Sequence, residues 1–234
     1  KITHSDGLVD GVEGSFLDPD GNQVYKIRVN ARLVVVAAGS IASSHLLLRN
    51  GIAVDTAGKG LALHPAPFVL GDFPFEVRAH QGIPMAYTLH EFGVTNGVED
   101  GGFLVEGIFL PPFQFSMALP VGGGQHEELM KRYNHYAMAG VLVRDGSNGT
   151  INLTSSGSPR VSYTLGPKEV ESIAKGVEVI AKMWFKLGAT RVLSSHMNKP
   201  ILNGENEIAE LIAAVRNQPG GLLLGSAHPQ GGNR

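Results

Sequence analysis

The sequence predicts an α+β fold: an antiparallel β-sheet with helices packed on one face, joined to part of an α/β domain. Three observations carry this. The apolar run Leu33-Val34-Val35-Val36-Ala37 ends in Ala38-Gly39-Ser40 and passes into a helix-like stretch, Ile41 to Asn50, closed by Gly51. Residues 65–143 hold several β-like stretches with no long helical pattern between them, which favours antiparallel pairing. Val170, Ile173, Val177, Ile180, Trp184 and Leu187 recur at alternating steps of three and four, the period of one helix face.

Taken in order, residues 9–16 and 24–29 flank Asp18-Pro19-Asp20-Gly21-Asn22, whose residues suit a hairpin turn, so 6–37 reads as a β-meander feeding the apolar strand. At 37–40 the small side chains let the backbone turn sharply and lie close to a ligand above the strand end. Corners of this kind are where α/β sheets hold cofactors. Residues 68–72, 85–92, 103–109 and 136–143 are β-like, punctuated by Pro111-Pro112 and Gly122-Gly123-Gly124. Asn148-Gly149 predicts a hairpin between 141–143 and 151–153. In the helix predicted over 167–187, Pro167 suits the first turn and Gly188 the C-terminal cap, and the stripe that includes Trp184 is a core face. A second helix, 205–217, carries Ile208, Leu211, Ile212 and Val215 and stops before Pro219-Gly220-Gly221. The aromatics Phe73, Phe75, Phe103, Phe109, Phe113 and Phe115 suit an apolar substrate pocket, or more simply a core.

Candidate chemistry begins with His228. The apolar run Leu222-Leu223-Leu224 leads through Gly225-Ser226-Ala227 to this histidine, and Pro229-Gln230-Gly231-Gly232-Asn233-Arg234 follows. An ordinary imidazole pKa of about 6.5 suits it to take a proton near neutral pH. The alternative is a histidine that only hydrogen-bonds its own loop. His126-Glu127-Glu128-Leu129-Met130 opens like a zinc-protease helix but has Met130 where the second ligand would stand, so no metal site is expected. His80, His90, His135 and His196 lack ligand-like spacing and are expected in loops or at the surface. No Gly-x-Ser-x-Gly elbow is present to scaffold Ser-based hydrolysis.

Three ordered segments, VVVAAGSIASSHLLLRNGI (34–52), GKGLALHPAP (58–67) and GSAHPQGGNR (225–234), resemble signatures of the glucose-methanol-choline (GMC) oxidoreductases, which are flavoproteins. Leu63-His64-Pro65, where most of that family has Asp-His, and Arg144-Asp145-Gly146 are most similar to the long-chain alcohol oxidase and dehydrogenase branch. The resemblance implies FAD as cofactor and an alcohol as substrate. It implies a part of a Rossmann-like FAD-binding domain over 1–64, an antiparallel substrate-binding domain over 65–218, and a return segment over 219–234. It further implies that His228 lies over the flavin and removes the hydroxyl proton while the adjacent carbon passes a hydride to flavin N5. Ala38, Gly39 and Ser40 are then expected to let the dinucleotide part of FAD approach through their backbone, and His64 either lines the cofactor cleft or serves as a structural hydrogen-bonding group.

The family's Gly-x-Gly-x-x-Gly fingerprint is absent, and Gly58-Lys59-Gly60 cannot replace it, because Leu63 stands in the place of the third glycine. The signature around His228 also stops short of the second active-site His or Asn of such enzymes. Both features lead us to expect an internal piece of a longer polypeptide. The alternative function is an isolated substrate-binding domain, or a fragment without bound flavin or activity.

Composition narrows the classes. Hydrophobic residues make up 43% and charged residues 17%, which describes a globular chain and not a disordered one. With 19 basic against 21 acidic residues and no basic run, no nucleic-acid partner is expected. The lack of Cys removes disulfides, thiolate nucleophiles and Cys-based metal sites; with the lack of a signal-like segment it favours the cytoplasm but does not locate the protein. No apolar stretch reaches the ~18 residues that span a bilayer.

Overall fold

The computed structural model describes residues 1–93, 102–146, 148–226 and 228–232. In chain order the elements are β1 (Ile2–Ser5), β2 (Leu8–Leu17), β3 (Gln23–Asn30), α1 (Gly39–Arg49), β4 (Lys59–Leu61), β5 (Phe68–Asp72), β6 (Thr88–Leu89) and β7 (Phe103–Ile108). There follow α2 (Pro112–Ala118), α3 (Gly123–Lys131), β8 (Tyr136–Val143), β9 (Gly149–Leu153), β10 (Pro159–Ser162), α4 (Pro167–Lys186), β11 (Arg191–Ser194), β12 (Ile201–Leu202) and α5 (Ile208–Asn217). The chain divides into two units. The smaller holds 1–62, 147–164 and 229–234, and the larger holds 63–146 and 165–228. Residues 147–164, which the sequence groups with the middle of the chain, fall in the smaller unit.

The smaller unit contains two three-stranded antiparallel sheets, β1-β2-β3 and β10-β9-β4, and helix α1. The β1–β2 turn is Asp6-Gly7, both at positive φ. The predicted β2–β3 turn forms as expected: the Asp18 carboxylate accepts the backbone N–H groups of Asp20 and Asn22, an Asx arrangement that closes the loop. Helix α1 is followed by Gly51 at φ +67, and the Ile52 N–H reaches back to the Leu47 carbonyl, a glycine-closed helix end.

Two local expectations fail here. Residues 33–37 pair with no strand among the described residues, and Leu33 and Val35 are 79% and 78% exposed. Their β-branched side chains supply strand propensity, but a strand exists only where a neighbour completes its ladder. Asn148-Gly149 likewise does not join β8 to β9. β9 instead forms a local hairpin with β10 through residues 154–158 and pairs on its other side with β4, while β8 pairs with β5 and β7.

The larger unit is built on a six-stranded antiparallel sheet in the order β12-β11-β5-β8-β7-β6. Strand alternation sends Val69, Val105, Val141 and Val192 to one face and Phe68, Leu70, Met138 and Leu193 to the other. α4 and α5 cover the first face, as the periodicity predicts, through Ile173, Val177, Ile180, Trp184, Leu211 and Val215. Gly176 lets α4 come close, since a Cβ there would lie 2.3 Å from Val141 Cγ1. Trp184 Nε1 donates to the Val69 carbonyl at 3.1 Å, so the indole is satisfied inside the core.

The opposite face is covered by α2 and α3, which the sequence reading passed over as turns. Pro112 sits in the first turn of α2, where its missing N–H costs nothing, and Gly123 starts α3 at φ +62. Phe115 and Leu129 from these helices bury against Phe68, Leu70 and Met138. Phe73, Phe103 and Phe115 are therefore core, while Phe75 and Phe113 are exposed. The cavity beside Phe109, Phe115 and Tyr133 has only about 10 Å³, too small for a substrate.

Candidate active site

His228 lies in the larger unit, at the end of a segment held in place by scattered backbone bonds. Leu222 bridges to His196, the Leu223 N–H donates to the Ser195 carbonyl, and Gly225 and Ala66 exchange both backbone hydrogen bonds at 2.9 Å. The predicted apolar run is thus extended without joining a sheet. His196, expected in a loop or at the surface, sits in a loop but is completely buried. Its Nε2 faces the Gln218 carbonyl at 3.1 Å and its Nδ1 accepts the Asn198 N–H, so it is an Nε2–H tautomer. Gly221 lies against this ring: a Cβ there would come within 3.0 Å of it. His196 therefore anchors the start of the segment that carries His228.

Opposite the Ala66–Gly225 bridge, His64 has a left-handed backbone, φ +52, unusual for a residue with a Cβ. Its strain is held by neighbours. The Asp145 carboxylate accepts the Leu63 N–H at 2.9 Å and the His64 N–H at 3.4 Å, and the Ser226 hydroxyl donates to the Leu63 carbonyl. The result is a direct imidazole pair, with His64 Nδ1 3.3 Å from His228 Nδ1 and ring centroids 5.5 Å apart. Burial pushes the His64 pKa below its ordinary value, the charge of His228 pushes it further, and Asp145 and Glu106 partly oppose both. Two lone pairs cannot face each other at that distance, so one Nδ1 carries the shared hydrogen. His228 is otherwise exposed, which leaves its Nε2 open to a ligand.

Ala38, Gly39 and Ser40 lie in the smaller unit, at the start of α1. Gly39 has φ +80, and nothing stands within 4 Å of the place a Cβ would occupy. The first turn of α1 holds no acidic residue and no side-chain cap on Ala38. The Ser40 hydroxyl donates to the Pro229 carbonyl at 2.9 Å, and the Ser44 hydroxyl to the Gly232 carbonyl at 2.6 Å. Gly58-Lys59-Gly60 also serves this segment. The Gly58 N–H bonds the Gly232 carbonyl, and a Cβ on Gly231 would lie 2.0 Å from the Gly60 carbonyl oxygen. These glycines pack backbone on backbone, which explains their spacing without any phosphate. The corner thus holds the residues directly after His228, while His228 itself groups with the other unit.

Asp145 went unrecognised as a functional residue in the sequence. Its only signal is the Arg144-Asp145-Gly146 triplet, and His64 has only Leu63-His64-Pro65. His126 is occupied structurally, its Nε2 against the Ser116 carbonyl at 2.9 Å. Among the described residues no group of three or more His, Asp or Glu could hold a metal ion, and no helix is long and apolar enough to cross a membrane.

Fold and site together define a mixed α+β protein with an imidazole pair suited to proton transfer. Residues 1–66 match the family model described as GMC oxidoreductase. Over 232 residues the chain is 31% identical to an uncharacterized GMC-type oxidoreductase of Mycobacterium tuberculosis (strain H37Rv), covering 99% of this chain and 35% of that protein. It is 26% identical over 232 residues to a long-chain-alcohol oxidase of Arabidopsis thaliana, covering 92% of this chain and 31% of that protein. A GMC-type oxidoreductase of Sinorhizobium fredii is 26% identical over 204 residues, 87% of this chain and 38% of that protein. Nearly the whole chain is thus similar to GMC-type oxidoreductases, and its first 66 residues match that family's model. The chain spans about a third of the length of the curated relatives it matches.

Proposed function

We propose that this chain is part of a flavin-dependent oxidoreductase that oxidises an alcohol, with His228 as the general base. The observation that carries the proposal is the His64–His228 pair at 3.3 Å, found where two segments resembling the family's signatures meet. In the tautomer that serves catalysis, His228 holds its hydrogen on Nδ1 and donates it to His64 Nδ1. His228 Nε2 then keeps a free lone pair for the substrate hydroxyl proton. The depressed pKa of His64 supports this, because a neutral His64 can accept that hydrogen bond and an imidazolium cannot. Asp145, by fixing the backbone at 63 and 64, acts as a positioning residue for the pair.

FAD fits the residues of the corner at 38–40: Gly39 leaves open space, Ala38 offers only a methyl group, and the first turn of α1 carries no acid to repel a phosphate. The chemistry a flavin supplies when bound is acceptance of the substrate hydride at N5. On this reading the region 1–64 belongs to the FAD-binding domain, 65–218 to a substrate-binding domain, and 219–234 returns to the cofactor. The relatives named as long-chain-alcohol oxidases favour a fatty alcohol as substrate class.

The test is stopped-flow reduction of the flavin by an alcohol in the flavin-loaded full-length protein. His228→Ala is expected to slow it by roughly 10² to 10⁴, the usual contribution of a general base. An unchanged rate overturns the assignment. A preparation that never shows the yellow flavin absorbance supports the other reading, a binding domain without its own cofactor.

A further inference from the structure

A second polar cluster lies at the end of β5 in the larger unit, where neither histidine of the pair takes part. The Asp72 side chain is 1% exposed and is shared by two arginines. Arg132 Nε lies 2.9 and 3.0 Å from its two oxygens and Arg132 Nη2 2.6 Å from Oδ1, while Arg191 Nε lies 2.6 Å from Oδ2. Arg132 Nη2 also donates to the Phe73 carbonyl. A buried carboxylate needs one guanidinium to balance it, and the second leaves a positive charge uncompensated.

Donors exceed acceptors throughout the cluster. Among the described residues, Arg132 Nη1 and the two Nη groups of Arg191 meet no carboxylate or carbonyl oxygen, and the arginine side chains stay 35% and 27% exposed. The Tyr136 hydroxyl beside them is buried without a geometrically sound partner. Its pKa is pushed up to about 12, first by burial and then by the Asp72 charge. Thr190 spends its N–H and hydroxyl on the Asp72 carbonyl, which rigidifies the floor. Above lies an open cleft of about 500 Å³, lined by Asp72, Pro74, Arg132, Thr190, Arg191 and Asn203, with no acid besides Asp72. A purely structural ion pair has no need of this excess.

We propose that Arg132 and Arg191, oriented by Asp72, form a binding site for a small oxyanion, either a carboxylate or a phosphate monoester. The planar guanidinium fork matches two oxygens of either group, and Asp72 serves to fix both forks in advance. The cleft has room for the organic part of such a ligand.

Isothermal titration of the full-length protein with inorganic phosphate and with acetate, at constant ionic strength, tests this. Saturable binding at one site is expected. Binding of both probes defines a general oxyanion site, and binding of phosphate alone defines a phosphate-monoester site. Arg191→Gln is expected to weaken the affinity by about tenfold or more, the usual loss for a charged hydrogen bond, while Arg132 still balances Asp72. Should that variant unfold, Asn203→Asp decides, because it places a carboxylate in the cleft without touching Asp72 and should weaken binding similarly. No saturable binding of either probe, or affinity unchanged in the folded variants, overturns the proposal.

Discussion

In the larger unit Val69, Val141, Ile173, Ile180 and Val192 are all completely buried, whereas in the smaller unit Leu33 and Val35 stand almost open and every residue of β3 is exposed. Both regions are rich in β-branched and aromatic residues. The difference lies in what covers them. The six-stranded sheet has α4 and α5 on one face and α2 and α3 on the other, so each alternate side chain finds a core. The β1-β2-β3 sheet buries little beyond Ile2 and Thr3, and Phe16, Tyr25, Ile27 and Val29 remain about half exposed. Burial dominates stability in one region, and backbone geometry dominates in the other.

The sharpest test sets one substitution in each unit side by side. Ile180→Ala should cost about 2–5 kcal/mol, the usual loss for a large side chain deleted from a close-packed core. Val35→Ser should stay within about 0.5 kcal/mol. Urea unfolding followed by Trp184 fluorescence reads the first, since this is the single tryptophan and it lies in the larger unit, and amide hydrogen exchange in the smaller unit reads the second. Equal effects would break the comparison.

Next in size is a backbone change in the smaller unit. Gly58 has φ +83, and a Cβ there would lie 2.0 Å from the Ile151 carbonyl oxygen. Gly58→Ala should cost about 1–3 kcal/mol, as expected for a strained backbone conformation. The loss should appear as faster amide hydrogen exchange at Ile151, whose N–H bonds the Gly58 carbonyl, with the Trp184 transition unmoved. A shift of that transition would show that the two units do not unfold separately.

The smallest effect concerns the histidine pair. His64 is held below the ordinary imidazole value, so the unfolded chain binds its proton more readily than the folded one. Its contribution to stability is therefore complete above about pH 6.5 and is lost as the pH falls from there through the folded value. NMR titration should place His64 below 6.5, and His228→Gln should raise it by removing the neighbouring charge. An unshifted His64 in that variant would mean that the rings are not coupled.

Local signals in the sequence were enough for the Asp18–Asn22 turn, for α4 with Pro167 at its start and Gly188 after its end, and for α5. Each depends on residues within a turn or two of one another. The apolar run 33–37 and Asn148-Gly149 carried equally strong local signals and misled, because whether a strand forms depends on a partner that local sequence does not specify. Of the candidate site, His228 was legible as a histidine delivered into a Pro/Gly turn. Its partner His64 is 164 residues away, and the pair forms only because Ala66 meets Gly225 and Asp145 holds a strained backbone. Asp72, Arg132 and Arg191 left no trace in the sequence at all, being 60 and 119 residues apart.

By itself, then, the sequence determined α1, α4 and α5, the Asp18–Asn22 turn, the apolar composition that demands a core, and the resemblance that points to a flavoprotein family. Tertiary structure alone decided which strands pair, which faces are covered, and which ionisable groups meet. The reason is the range of the forces. Propensity and turn chemistry act between residues a few positions apart, while ladder partners, burial and charge pairing act between residues brought together only when the chain has folded.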